Sequence, residues 1–109
     1  GEGVCVATGY DSKPPRILRC GLRKDEASKR QWLVVVAQDG AQDDGVSTLV
    51  ATARLAATRD PDAAPTPMVC CGGGSFAIAV DPSTARFVRV TVRDANGNST
   101  DGAWIDVDA

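Results

Sequence analysis

Histidine is absent from the 109-residue chain, which removes the commonest general base and the commonest metal ligand. A serine or cysteine nucleophile would therefore lack its usual imidazole partner. The adjacent carboxylates Asp43 and Asp44 fall in a run of turn-forming residues, which predicts a solvated turn and no catalytic pair. We therefore predict that the protein is not an enzyme, while a redox role for the adjacent Cys70 and Cys71 stays open as an alternative.

Long apolar runs are also missing, since no stretch approaches the roughly 18 consecutive residues that a membrane-spanning helix needs. The net charge of −2 offers no broad basic surface, so the sequence predicts neither a membrane span nor a nucleic-acid partner. The sequence shows no signal-peptide pattern and opens at Gly1, as a processed or excised fragment would, so we expect a module of a larger, multidomain chain.

Charge is unevenly distributed along the chain. Residues 1–30 carry seven Lys/Arg against four Asp/Glu, a net 7 − 4 = +3, whereas residues 31–109 carry five against ten, a net 5 − 10 = −5. We interpret residues 1–30 as a basic, irregular N-terminal segment of a single domain spanning 1–109. That segment fits either a partner-docking arm or an ordinary solvated surface.

Valine alternation is the strongest structural signal. Val88, Val90 and Val92 alternate with polar residues. Leu49, Ala51, Ala53 and Leu55 alternate in the same way with Thr48, Thr52 and Arg54, which predicts a strand with one solvated face, although the alanine content leaves a helix possible. The apolar run at 32–37 suits a central strand buried on both faces, and we expect Trp32 to belong to the core. Turn-forming residues recur at intervals of roughly 8–12 residues, as in two-sheet sandwiches. The sequence therefore predicts an all-β, immunoglobulin-like antiparallel sandwich of about seven strands. The candidate strands are 4–8, 17–22, 32–37, 46–56, 76–80, 86–93 and 103–107.

The last two candidate strands predict a hairpin. If Asp94 faces Asp101, then Thr91 faces Trp104, and the valines of the first strand share a face with Ala103, Ile105 and Val107. Arg89, Arg93 and Trp104 then lie on the opposite, solvated face. A tryptophan flanked by guanidinium groups can stack on sugar rings or protein side chains, so these three residues form a candidate ligand site. Alternatively, a loop or a neighbouring domain covers Trp104.

Two segments carry a resemblance to a known family. Val-Thr-Val-Arg-Asp-Ala-Asn-Gly-Asn at positions 90–98 resembles the penultimate strand and final loop of bacterial immunoglobulin-like and fibronectin-type-III-like modules. Trp-Leu-Val-Val-Val-Ala-Gln-Asp at 32–39 resembles their second strand, and Pro14-Pro15 their opening. The final hairpin is also similar to that of the secreted enediyne-carrier proteins, although the cysteine spacing differs. These motifs mark turns, so the resemblance implies a sandwich and leaves the function open.

Four cysteines, Cys5, Cys20, Cys70 and Cys71, are present. An even number in a small domain favours disulfides and an oxidising compartment, so we expect an extracellular or cell-surface location. All three pairings stay open, although a bond between Cys70 and Cys71 would need a strained ring. Free thiols in a cytosolic protein are the alternative.

Oxygen-bearing side chains cluster in two loops that the resemblance places at the same end of the sandwich. Because Ca²⁺ takes six to eight oxygen ligands, these loops predict a weak structural calcium site, while the alternative is that Asp and Asn simply favour turns. The residues are Asp39, Asp43 and Asp44 in the first loop, and Asp94, Asn96, Asn98 and Asp101 in the second.

Together these features predict a non-catalytic extracellular binding or spacer module. Its partner would be a protein or carbohydrate surface. The alternative is a carbohydrate- or small-ligand-binding module that uses calcium structurally.

Overall fold

The computed structural model describes residues 14–38, 49–95 and 97–107, which form nine strands and no helix. The longer strands coincide with the valine-rich segments, because branched side chains suit a pleated surface. The strands are β1 (Arg16–Lys24), β2 (Gln31–Gln38), β3 (Val50–Ala56), β4 (Pro65–Pro67), β5 (Val69–Gly72), β6 (Ser75–Val80), β7 (Phe87–Arg93), β8 (Ser99–Asp101) and β9 (Ile105–Asp106).

The strands form two antiparallel sheets that pack together. The first sheet has the order β1-β2-β6-β5, and the second has the order β4-β3-β7-β8, with β9 also pairing with β7. This arrangement confirms the predicted all-β sandwich. Three short strands, β4, β5 and β8, lie in segments where no strand was predicted, and the candidate strand 4–8 lies outside the described residues. The described residues contain no helix that is long and apolar enough to cross a bilayer.

The core lies between the two sheets and is built from small aliphatic side chains. The predicted parity of β3 and β7 is confirmed, because the inward positions of both strands are buried. Full burial of a leucine or valine side chain stabilises the fold by roughly 1.5–3 kcal/mol. Those with no exposed surface are Leu33, Val35, Val88, Val90 and Val92, and Ala51 and Ala53 lie beside them with at most 1% exposed.

The predicted hairpin register is wrong. Thr91 pairs with Asp101 rather than with Trp104. The predicted register also places Asp106 opposite Arg89, but Asp106 pairs with Phe87. The reason is a tighter turn, in which the amide of Asp94 donates to the carbonyl of Asn98 at 2.9 Å. The last strand is therefore broken into β8 and β9 by an irregular segment at 102–104.

The outer face of the first sheet is half-buried and apolar. Trp32, Val34 and Val36 of β2 alternate with the core positions and are only partly buried. The expectation that Trp32 belongs to the core is therefore wrong, since its parity turns it away from the second sheet. Val69 on the edge strand β5 extends this face and is 66% exposed.

The sheet order also separates the cysteines. Cys20 pairs with Val35, Val35 with Phe76, and Phe76 with Cys70, so Cys20 and Cys70 occupy one row at opposite edges of the first sheet. Three strand spacings amount to roughly 14 Å, about twice the Cα separation that a disulfide bridges. The predicted disulfides are accordingly not formed among Cys20, Cys70 and Cys71, and Cys5 lies outside the described residues.

Candidate functional site

All five basic residues of 31–109 lie on or beside the outer face of the second sheet. Three are strand residues whose side chains lie on the outer face: Arg54 of β3 pairs with Arg89 of β7, and Arg93 lies four residues farther along β7. The other two lie at the end of this face that contains Phe87. We call this surface the arginine face, and its basic residues are Arg54, Arg59, Arg86, Arg89 and Arg93.

Arg89 is held in place from three sides. Its Nε donates to the carbonyl oxygen of Gly102 at 2.9 Å, and its Nη2 lies 3.6 Å from a carboxylate oxygen of Asp101. Its guanidinium carbon lies 5.7 Å from the centroid of the Trp104 ring, within the range of a cation–π contact. Arg89 and Trp104 thus lie close together, as predicted. Both side chains are half-buried, and the irregular segment at 102–104, not a strand pairing, brings Trp104 to Arg89.

Two further contacts order the opposite end of the face. The Arg59 guanidinium lies 5.1 Å from the centroid of the Phe87 ring. The Nε of Arg86 lies 3.4 Å from a carboxylate oxygen of Asp106. Both side chains of this ion pair are partly exposed, so it adds little to stability, but it restrains the position of the guanidinium group.

A groove of about 220 Å³ lies at the end of the arginine face that contains Arg93. Its lining includes two arginines, Arg54 and Arg93, and three residues with hydroxyl groups, Thr52, Thr91 and Ser99. The Nη1 of Arg54 donates to Thr91 Oγ1 at 3.3 Å, and Thr91 Oγ1 donates to Asp101 Oδ1 at 2.6 Å. The groove therefore combines two cations with a short hydrogen-bonded chain.

Neither arginine of the groove pairs with a carboxylate in the described part of the chain. Asp101 faces Arg89, and Asp106 faces Arg86. The Nε of Arg54 is buried and has no acceptor among the described residues. Five arginines stand against four aspartates, since Asp60 and Asp62 lie in the same loop as Arg59, so the face carries a net 5 − 4 = +1, although the whole chain carries −2.

The predicted calcium ligands are only partly described. Asp39, Asp43, Asp44 and Asn96 lie outside the described residues. Asp94 is 6% exposed, and its carboxylate accepts from the amide and the side-chain nitrogen of Asn98 at 2.9 and 3.1 Å. Asp101 instead faces the arginines, and the described residues contain no cluster of three or more candidate metal ligands.

The same turn contains the glycosylation triplet Asn98-Ser99-Thr100. The side-chain nitrogen of Asn98 is engaged with Asp94, and the Thr100 hydroxyl donates to the carbonyl oxygen of Pro15 at 2.5 Å. Both outer residues of the triplet thus have structural partners in the folded domain.

The three described cysteines differ in environment. Cys70 and Cys71 are exposed on the edge strand β5, whereas Cys20 is half-buried. Burial raises the pKa of the Cys20 thiol, because a low-polarity surrounding disfavours the thiolate. Cys20 is therefore less reactive than a fully solvated thiol.

Comparisons with known proteins add no family assignment. No family model matches the chain, and neither a curated protein nor a solved structure is significantly similar to it.

The sequence interpretation missed Arg54 and the groove beside it. Alternation within β3 places Arg54 on the solvated face, but nothing in the local sequence indicates that β3 pairs with β7. The sequence did contain a signal for the arginine face. Every basic residue of 31–109 is an arginine that lies within β3 or β7 or near an end of one of them.

Proposed function

We propose that the chain is a non-catalytic binding module of an extracellular or cell-surface protein, and that it contacts its partner with the arginine face. The observation that carries this proposal is the gathering of all five basic residues of 31–109 on one face of an otherwise acidic segment. An excess of positive charge on one face suits a partner of opposite charge, because complementary potentials guide association and fix orientation.

The composition of this face supports the same conclusion. Arginine presents a planar fork of donors that matches carboxylate or sulfate oxygens in pairs. Arg89 is already ordered by Asp101 and Trp104, so less conformational entropy is lost when a partner binds. Partly exposed aromatic residues beside arginines are also the combination enriched at the centres of binding interfaces.

A pure spacer would not explain the face. Like charges at directly opposite positions of neighbouring strands destabilise a sheet, and Arg54 faces Arg89 in this way. A module that only separates other domains has no need for such a pair. The resemblance to bacterial immunoglobulin-like and fibronectin-type-III-like modules agrees with the proposed role, since those modules commonly act within larger extracellular chains.

The test is a binding screen with a matched pair of charge reversals. The isotopically labelled protein is applied to arrays of neutral and acidic oligosaccharides and of neutral and acidic peptides. Arg93→Glu changes an exposed arginine of the face, and Arg23→Glu changes an exposed strand arginine of the first sheet. We expect capture by an acidic ligand, abolished by Arg93→Glu and retained by Arg23→Glu.

Amide chemical shifts then locate the binding surface. Perturbations on β3, β7 and β8 support the proposal. Perturbations around Trp32 and Val34 of the first sheet would contradict it. The absence of any capture would favour the spacer function instead.

A further inference from the structure

The groove beside Arg93 has the properties of a site for one negatively charged group. Arg54 and Arg93 lie at its two ends, because Arg54 pairs with Arg89 and Arg93 follows four residues later on the same strand. Their Cα atoms are roughly 14 Å apart, and the row of Thr52 and Thr91 lies between them. Two long side chains can therefore reach one ligand from opposite sides.

We propose that this groove binds a carboxylate- or sulfate-bearing sugar unit of an acidic polysaccharide. The inference rests on the proposed function and specifies the ligand class. The unmet charge of Arg54 and Arg93 is its first support, since neither pairs with a carboxylate of a described residue. A ligand oxyanion would supply the missing partner through charge-assisted hydrogen bonds.

Hydroxyl groups are the second support. The side chains of Thr52 and Ser99 line the groove, and neither makes a side-chain hydrogen bond within the described part of the chain. A hydroxyl both donates and accepts, so it matches the hydroxyls of a sugar ring. Val50 is 51% exposed at the same place and offers an apolar surface to the C–H groups of that ring.

The groove is large enough for one sugar unit of the polysaccharide but not for a longer stretch of it. Its volume of about 220 Å³ lies below the roughly 300 Å³ at which sites for drug-sized ligands begin. A longer polysaccharide would therefore place one charged unit in the groove and extend across the remaining arginine face toward Arg89.

An acidic peptide fits less well. Extended peptides commonly bind by adding a strand to a sheet edge. Of the two edge strands that flank the groove, β8 has only three residues, and β4 contains Pro65 and Pro67. Proline has no N–H to donate to an added strand. Recognition at this edge must therefore rely on side chains, which favours a ligand rich in hydroxyl groups.

Isothermal titration calorimetry on the full chain tests the inference. The probes are a heparin-derived tetrasaccharide with sulfate and carboxylate groups, a hyaluronan-derived tetrasaccharide with carboxylates alone, neutral chitotetraose, and hexaglutamate. We expect binding of at least one acidic sugar and not of chitotetraose or hexaglutamate. A preference between the first two identifies sulfate or carboxylate as the recognised group.

Three variants make the test specific to the groove. Arg93→Gln should weaken binding of the acidic sugar at least about tenfold, and Thr52→Val about fivefold. Arg23→Gln, on the first sheet, should change the affinity less than about twofold, since it removes only distant charge. Amide spectra of each variant verify that the sandwich is intact.

Several results would overturn the inference. They are hexaglutamate binding as tightly as the sugars, equal losses for Arg23→Gln and Arg93→Gln, or an unchanged affinity of Thr52→Val. If ligand-induced shifts still mark β3 and β7 in those cases, only the ligand assignment fails. If the shifts lie on the first sheet, the proposed function fails as well.

Discussion

Arg54 on β3 and Arg89 on β7 occupy directly opposite positions on paired antiparallel strands, so two guanidinium groups share one row of the outer face. Arg89 is compensated by the carboxylate of Asp101. Arg54 has no such partner in the described part of the chain, and its Nε is buried without an acceptor. A pair of this kind lowers the stability of the sheet, which is a common property of residues retained for binding.

Replacement of Arg54 by threonine should therefore stabilise the domain. The change removes the like-charge pair and the unsatisfied donor and introduces a residue that favours strands. We expect the free energy of unfolding to rise by about 0.5–1 kcal/mol and the melting temperature by about 2–4 °C. Thermal unfolding followed by circular dichroism measures both. Arg93→Thr is the control, because Arg93 faces Val50 and should change stability by less than about 0.5 kcal/mol. A lower melting temperature for Arg54→Thr would show that this pair is not a source of strain.

Gly74 is the residue of the β5–β6 turn for which an added methyl group is most damaging. It has φ +79, and a Cβ at this position would collide with the carbonyl oxygen of Ala37, whose amide donates to the carbonyl of Gly74 at 2.8 Å. Gly74→Ala should lower the free energy of unfolding by about 3 kcal/mol. Gly73 also has positive φ, but a Cβ there meets nothing, so Gly73→Ala should cost only about 1 kcal/mol. Urea unfolding of both variants measures the difference, and equal losses would argue against the close approach of Gly74 to β2.

The fold was predictable from the sequence because apolar and polar residues alternate along β3 and along β7. Leu49, Ala51 and Ala53 are buried as expected, and so are the valines of β7. The register of the last hairpin was not predictable, because it depends on a buried aspartate. Asp94 closes the turn with Asn98 through backbone and side-chain bonds, whereas the sequence prediction places Asp94 opposite Asp101.

The candidate site was predicted only in part, for a related reason. Arg89, Arg93 and Trp104 were identified by alternation within one hairpin. Arg54 joins them through pairing between strands more than thirty residues apart, such as Arg54 with Arg89. Long-range pairing of this kind depends on sheet order, and local periodicity contains no information about it.

Ser83, in the turn after β6, should affect how much stability the fold loses at acidic pH. The hydroxyl and amide of Ser83 donate to the Asp81 carboxylate at 2.7 and 3.0 Å, and these bonds lower the pKa of Asp81. A carboxyl group whose pKa is lower in the folded state than in the unfolded state stabilises the fold. This stabilisation is complete above the unfolded pKa of about 3.9 and disappears as the pH falls through the lower pKa of the folded state.

Ser83→Ala should therefore raise the pKa of Asp81 toward its ordinary range and reduce the loss of stability on acidification. Carboxyl carbon shifts recorded from about pH 6 to about pH 2 follow the titration. Ser28→Ala is the matched control, because Ser28 donates to Asp25 and lowers the pKa of that carboxyl instead. A shift of the Asp81 titration in Ser28→Ala, or none in Ser83→Ala, would contradict the assignment.

The cysteines provide a direct chemical test of the sheet order. Cys20 and Cys70 lie at opposite edges of the first sheet, roughly 14 Å apart, so no disulfide can join them in the folded protein. Native alkylation with iodoacetamide, followed by mass spectrometry, should label the exposed Cys70 and Cys71 before Cys20, since burial raises the pKa of the Cys20 thiol. Alkylation in denaturant is the control and should remove the difference in rate. A peptide that links Cys20 to Cys70 or Cys71 in the folded, oxidised protein would contradict the strand order β1-β2-β6-β5 and, with it, the packing that presents the arginine face.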